Sequence, residues 1–279
     1  MSAVKIVTDS SAELSTEVVE ELGITVVPWR LQLGTETHQD APGYRSTEFY
    51  RETIRNKVLP VPLPPDVRHM SQVYDRLCRQ TDDIVSVHCS AHFAKIVQSA
   101  RQAQGRMLGR CRIQVIDSQY ISRALGVLVE VAARAAQAGM SGGEIVRLVN
   151  GTIPAVYLAF HVEKMDYISR AGLAPNERTA TTGLSRVLLM IEDGQIVPFH
   201  RSRSRGTPVD RLIEFIAEFQ RLESLYILHS GLNSGYRDIA KRLREEMPDQ
   251  HFAEHIYGPL FFNYVGPTAL GLVAFEGAS

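Results

Sequence analysis

His88, Cys89 and His92 stand close together, and Asp117-Ser118 follows farther along the chain. A thiol flanked by imidazoles has the composition of a nucleophile with its base. The spacing of four between His88 and His92 also matches one face of a helix, as a pair of metal ligands would need. No third ligand is evident, a closed zinc site wants four, and His88 reads as a strand end. A buried cysteine in a sheet core is the commoner arrangement. Thr8-Asp9-Ser10-Ser11 offers a second chemistry, since hydroxyls and loop amides beside a helix N-terminus favour an anion. The same residues also suit simple capping. A third feature is His200-Arg201-Ser202-Arg203-Ser204-Arg205. Arg201, Arg203 and Arg205 alternate, as contacts to an acidic partner or to nucleic-acid phosphates would, or as a solvated strand and loop would. Walker, Gly-x-Gly-x-x-Gly, Gly-x-Ser-x-Gly and His-Glu-x-x-His motifs are absent.

The elements that must position these residues are legible from pattern. Val4–Thr8 predicts a strand stopping at Asp9, Thr16–Leu22 a helix closed by Gly23, and Ile24–Val27 a second strand ended by Pro28. Strand, helix, strand at this spacing is a parallel crossover unit. Asp83–His88 and Ile113–Ser118 predict further strands, with helices over Lys95–Leu108 and Ser122–Ala138. Ser141 and Glu144 have capping-box spacing for another helix. Ligands of open parallel sheets bind beyond the carboxyl ends of strands. That points at Thr8–Ser11, His88–Ala94 and Asp117-Ser118. Farther on, Ala155–Val162 predicts a strand, and a polar loop spans 170–182. Arg186–Glu192 and Gln195–Phe199 form a hairpin pattern across Asp193-Gly194. Helices over Arg211–Arg221 and Tyr236–Met247 and strands at Ser224–His229 and Thr268–Phe275 complete a mixed-sheet half. The fold class expected is α/β with two domains, 1–154 mostly parallel and flanked by helices, 155–279 mixed, and a ligand cleft between them.

Composition narrows the function classes. The 279 residues carry 30 Lys and Arg against 31 Asp and Glu, a net charge of −1, so a wholly basic nucleic-acid-binding surface is not expected. Leu125–Ala136 is too short and too interrupted, by Glu130 and Arg134, to span a bilayer. No basic-then-apolar signal segment is present. Cys78, Cys89 and Cys111 are an odd set without Cys-x-x-Cys spacing, which predicts reduced thiols and a cytoplasmic protein.

Several segments, in order, resemble the DegV family of bacterial fatty-acid-binding proteins. They are Val4–Ala12, Gly23–Pro28, Asp40 with Ser46–Tyr50, Gln98–Ala100, Val115–Ser118, Gly258-Pro259 and Gly266-Pro267. The resemblance implies a two-domain α/β protein that buries a long-chain fatty acid and has no cofactor and no catalysis of its own. It also implies a separate kinase that, in some members, phosphorylates the bound acid.

Four polar head-group positions of that family correspond here to Pro62, Ala94, Leu173 and Tyr264, a loss of two hydroxyls, an arginine and a histidine. Hydrogen bonds to a charged group contribute about 1.5–3 kcal/mol each, and an unpaired buried carboxylate costs more. Replacement donors are therefore expected: charge from Lys95 or His92, neutral groups from Ser10, Ser90, Asn263 and Tyr264. The same losses make the kinase partner doubtful. Two other readings stand beside the lipid carrier: a cleft enzyme using Cys89, His88, His92 and Asp117, and a partner-docking module using the arginine cluster.

Overall fold

A computed structural model of the chain describes residues 3–175, 188–199 and 206–277. The chain divides into two compact units. One comprises Met1–Pro42 and Val61–Pro154, the other Gly43–Pro60 and Ala155–Gly277.

The first unit begins with β1 (Lys5–Asp9), α1 (Thr16–Leu22) and β2 (Thr25–Val27). Ser15 caps α1 by accepting from Val18 N, and Gly23 closes it at φ +63°, where a side chain would be strained. Strands β3 (Arg30–Leu33) and β4 (Glu36–Gln39) follow. Helix α2 (Thr47–Arg55) belongs to the second unit. The chain returns with β5 (Val61–Leu63), α3 (Val67–Leu77), β6 (Asp83–His88), α4 (Ile96–Gly105) and β7 (Arg112–Asp117). Helices α5 (Ser122–Gln137) and α6 (Gly142–Thr152) complete it, the latter opened by the expected Ser141–Glu144 capping box.

Strands β2-β1-β6-β7 form an all-parallel sheet, and α5 packs on β1 and β6. A second sheet, β4-β3-β5, is antiparallel and was not expected from the sequence. Its strands are three or four residues long, too short to display a period. Pro62 sits in edge strand β5, where a missing N–H is tolerated.

The second unit contains β8 (Val156–His161), α7 (Asp166–Arg170), and the hairpin β9 (Leu188–Glu192) and β10 (Gln195–Phe199). It continues through α8 (Pro208–Ile216), β11 (Ser224–His229), α9 (Gly235–Glu246), β12 (Ala253–Ile256), α10 (Pro259–Val265) and β13 (Leu270–Phe275). The sheet order is β10-β9-β8-β13-β11-β12, antiparallel except for the β11–β12 pair. Leu212 and Ile216 of α8 and Ile239 and Leu243 of α9 bury themselves against Ile227 and Leu272 of the sheet. Such burial contributes about 1.5–3 kcal/mol per large side chain.

One expectation from composition is corrected here. Cys78 follows α3 and Cys111 precedes β7, and the two are joined in a disulfide with Cα atoms 5.4 Å apart. Sequence spacing did not show this, because the pairing joins positions 33 residues apart that meet only after folding. Cys89 is free and buried. Among the described residues, no helix is long and apolar enough to cross a membrane.

Candidate functional site

At the carboxyl edge of the parallel sheet, Asp9 ends β1 beside His88, which ends the adjacent β6. The Asp9 carboxylate receives His88 Nδ1 at 2.8 Å and Cys89 N at 3.4 Å on one oxygen. Its other oxygen receives Trp29 Nε1 at 2.8 Å, Ser11 N at 3.2 Å and the Ser11 hydroxyl. Burial alone would raise the Asp9 pKa, but His88, Ser11 and Trp29 together hold it below the usual carboxylate range. Beyond His88 the chain of bonds continues inward. Tyr74 OH donates to Ser86 Oγ at 2.8 Å, and Ser86 lies 2.7 Å from His88 Nε2. With the Tyr74 proton directed at Ser86, the Ser86 hydroxyl is left to donate to Nε2, and Nδ1–H points at Asp9.

Serine, histidine and aspartate in this order match the partners of a hydrolytic triad. Here Ser86, His88, Asp9 and Tyr74 are each 0% exposed. A nucleophile must reach a substrate carbonyl, and this hydroxyl is sealed within the sheet. The group works instead as a clamp, tying β1 to β6 and drawing Trp29, at the end of the β2–β3 connection, onto both.

The enzyme reading of Cys89, His88, His92 and Asp117 is corrected by the same geometry. His88 turns both ring nitrogens toward Asp9 and Ser86. The Cys89 thiol is fully buried, and burial, reinforced by the Asp9 charge, pushes its pKa well up, away from the reactive thiolate. Asp117 accepts from Ala91 N at 3.3 Å and Gln119 N at 3.0 Å, which makes it a brace for the loop after β6. No group of three or more potential metal ligands occurs among the described residues.

The residues expected to bind a head group fall into two sets. In the first unit, Ser10 is buried and its hydroxyl accepts from Trp29 N at 3.0 Å. Ser90, also buried, opens the loop after β6; its hydroxyl accepts from His92 N at 3.2 Å, and its carbonyl from Phe93 N and Ala94 N. His92 and Lys95 are exposed on that loop, Lys95 at the start of α4, with Ala94 half-buried between them. Because β1 and β6 are paired, Ser10 and this loop share one edge. Pro62 lies elsewhere, opposite Leu31 in the antiparallel sheet.

In the second unit, Asn263 and Tyr264 are consecutive on α10, half-buried and buried respectively. Leu173 follows α7, which packs on α10. Phe262 of α10 stacks on Tyr50 of α2 at 4.3 Å, and the Tyr50 hydroxyl donates to the Tyr257 carbonyl. Tyr257 OH donates in turn to Gly266 O at 2.8 Å. This aromatic group was not foreseen; its members are far apart in sequence and carry no common spacing. Arg201, Arg203 and Arg205 lie outside the described residues, as do Arg186 and positions 176–182 of the expected polar loop.

A family model described as "Uncharacterised protein, DegV family" matches residues 3–277. The chain belongs to the DegV family. A DegV domain-containing protein of Caldanaerobacter subterraneus is 26% identical over 278 residues, covering 98% of each chain. Among solved structures, the DegV fold here is similar to that of a fatty-acid-binding DegV family protein from Thermus thermophilus, with a TM-score of 0.86 at 20% identity. That match covers 99% of this chain and 100% of the other. DegV from Bacillus subtilis, a fatty acid binding protein, also gives a TM-score of 0.86, at 23% identity over 99% and 100% of the two chains. The resemblance noted in the sequence therefore extends to the whole DegV architecture.

Proposed function

We propose that this DegV protein binds a long-chain fatty acid and does not transform it. The observation that carries this reading is its full-length likeness in fold to two fatty-acid-binding members of the same family. The sealed His88 and the buried, protonated Cys89 support a carrier over the thiol enzyme.

Pro62, Ala94 and Leu173 offer no side-chain donor, so the carboxylate takes its positive charge from Lys95 or His92 on the loop after β6. Ser10 and Ser90, which share that edge of the parallel sheet, supply neutral contacts. The proposed carrier does not pass its acid to a kinase, because the arginine and histidine positions that would attend a charged head group hold Leu173 and Tyr264.

Native mass spectrometry of the purified chain, with analysis of its organic extract, tests the function. One fatty acid per chain is the expected result. An empty extract, together with no saturable uptake of added oleate, would overturn the carrier reading. Lys95→Ala and His92→Ala test the head group, with at least one expected to weaken oleate binding about tenfold, the loss of one charged hydrogen bond. Unchanged binding in both would remove these residues from the site.

A further inference from the structure

A cavity of about 280 Å³ opens in the first unit between α3 and the antiparallel sheet. One wall is a single face of α3: His69, Gln72, Val73 and Arg76 recur at the spacing that stacks side chains along a helix. The other wall is Arg30 with Gln39 and Leu63. Arg30 is in register with both, so the three side chains stand abreast on one face of β4-β3-β5. Val27, Pro28 and Pro65 add apolar surface.

The charge of this lining is one-sided. It holds two guanidinium groups and no carboxylate. Among the described residues neither Arg30 nor Arg76 has an ion-pair partner, whereas the nearby Arg79 and Arg110 both reach Asp75. Asp66, at the start of α3, is occupied by the backbone N–H and ring Nδ1 of His69, at 2.9 and 2.8 Å. Two uncompensated arginines on opposite walls of one cavity favour a compact dianion. A phosphate monoester carries roughly −1.5 to −2 at pH 7, against −1 for a carboxylate, and its oxygens match the guanidinium fork.

We propose that this cavity binds a small organic phosphate monoester, with Arg30 and Arg76 clasping the phosphate. Gln39 and Gln72 supply amide donors to its remaining oxygens. Val27, Leu63 and Val73 receive the organic part, as apolar lining does in small-molecule sites. The site is independent of the fatty-acid reading.

Phenyl phosphate is the probe, with benzoate as a monoanion of matching ring, each titrated into the full chain and followed by calorimetry and by arginine side-chain NMR. Phenyl phosphate is expected to saturate at one site at least about tenfold more tightly than benzoate, to shift the Arg30 and Arg76 signals, and to weaken as salt is added. Arg30→Gln/Arg76→Gln is expected to lose that binding at least about tenfold. Both side chains are exposed, so the double variant leaves the core intact and its fatty-acid content unchanged. Absence of saturation, equal affinity for benzoate, or undiminished binding by the double variant would each overturn the proposal.

Discussion

The Asp9 carboxylate and the His88 imidazole meet 2.8 Å apart at the ends of two neighbouring parallel strands, neither side chain exposed to solvent. Removing the carboxylate leaves the buried N–H groups of His88 and Trp29 without their acceptor, which costs about 2–6 kcal/mol at about 1–3 kcal/mol per donor. Asp9→Ala is therefore expected to lower the stability of the protein by that amount at pH 7, read from urea unfolding. The Asp9 pKa is depressed in the folded state. Its contribution is present above the unfolded value of about 3.9 and fades as pH falls through the lower folded value. The wild-type and variant curves should converge below about pH 4; parallel curves down to pH 2 would contradict the assignment.

Cys89 should resist alkylation. In the native protein its thiol is buried and held protonated, so iodoacetamide should modify it only after denaturation. Cys89→Ala is expected to retain full fatty-acid content. Rapid labelling at Cys89 in the native state, or loss of ligand in the variant, would restore the thiol to the candidate site. Peptide mapping without reductant should also recover Cys78 joined to Cys111.

His229 closes β11 and stacks on Tyr236 with ring centroids 3.9 Å apart. Burial, with a lesser contribution from His255, pushes its pKa down to about 4. The folded state therefore favours the neutral ring, and the stability this gives is present above the unfolded value of about 6.5. It should decline as pH falls from there to about 4. An NMR titration should show the His229 ring neutral at pH 5.5, and His229→Gln should flatten the stability profile between pH 6.5 and 4. A midpoint near 6.5 would refute the burial argument.

Gly231 adopts φ +80°, and a Cβ there would lie 1.9 Å from Thr47 Oγ1. Gly231→Ala combines backbone strain of about 1–2 kcal/mol with a clash against the start of α2. Thr47→Ala added to it should recover the clash and leave the strain. Thermal unfolding of the single and double variants measures both parts, and additive effects would show that the two residues do not meet.

Much of this arrangement was legible in the sequence. Ser15, Gly23, Ser141 and Glu144 mark helix ends through bonds made within a few residues, and each cap forms as its spacing implies. Asp83–His88 and Ser224–His229 carry continuous apolar character, and both are strands. Alternation of helix and strand, with ordered motifs from Val4 to Gly266-Pro267, was enough to indicate the DegV fold. Local chemistry is written where it acts.

Tertiary structure decided the rest, because strand pairing and burial are made by residues distant in the chain. His88 and Cys89 are neighbours in sequence, yet alternation along the chain gives them different surroundings, and only the pairing of β6 with β1 joins His88 to Asp9. The Cys78–Cys111 pair depends on where α3 ends relative to the start of β7. Gly43–Pro60 lies between two first-unit segments but belongs to the second unit, held there by the stacking of Tyr50 on Phe262. Arg30 and Arg76 carried no motif at all. Their shared cavity exists because β3, flanked by two short strands, presents one face to one side of α3, a juxtaposition that no spacing along the chain encodes.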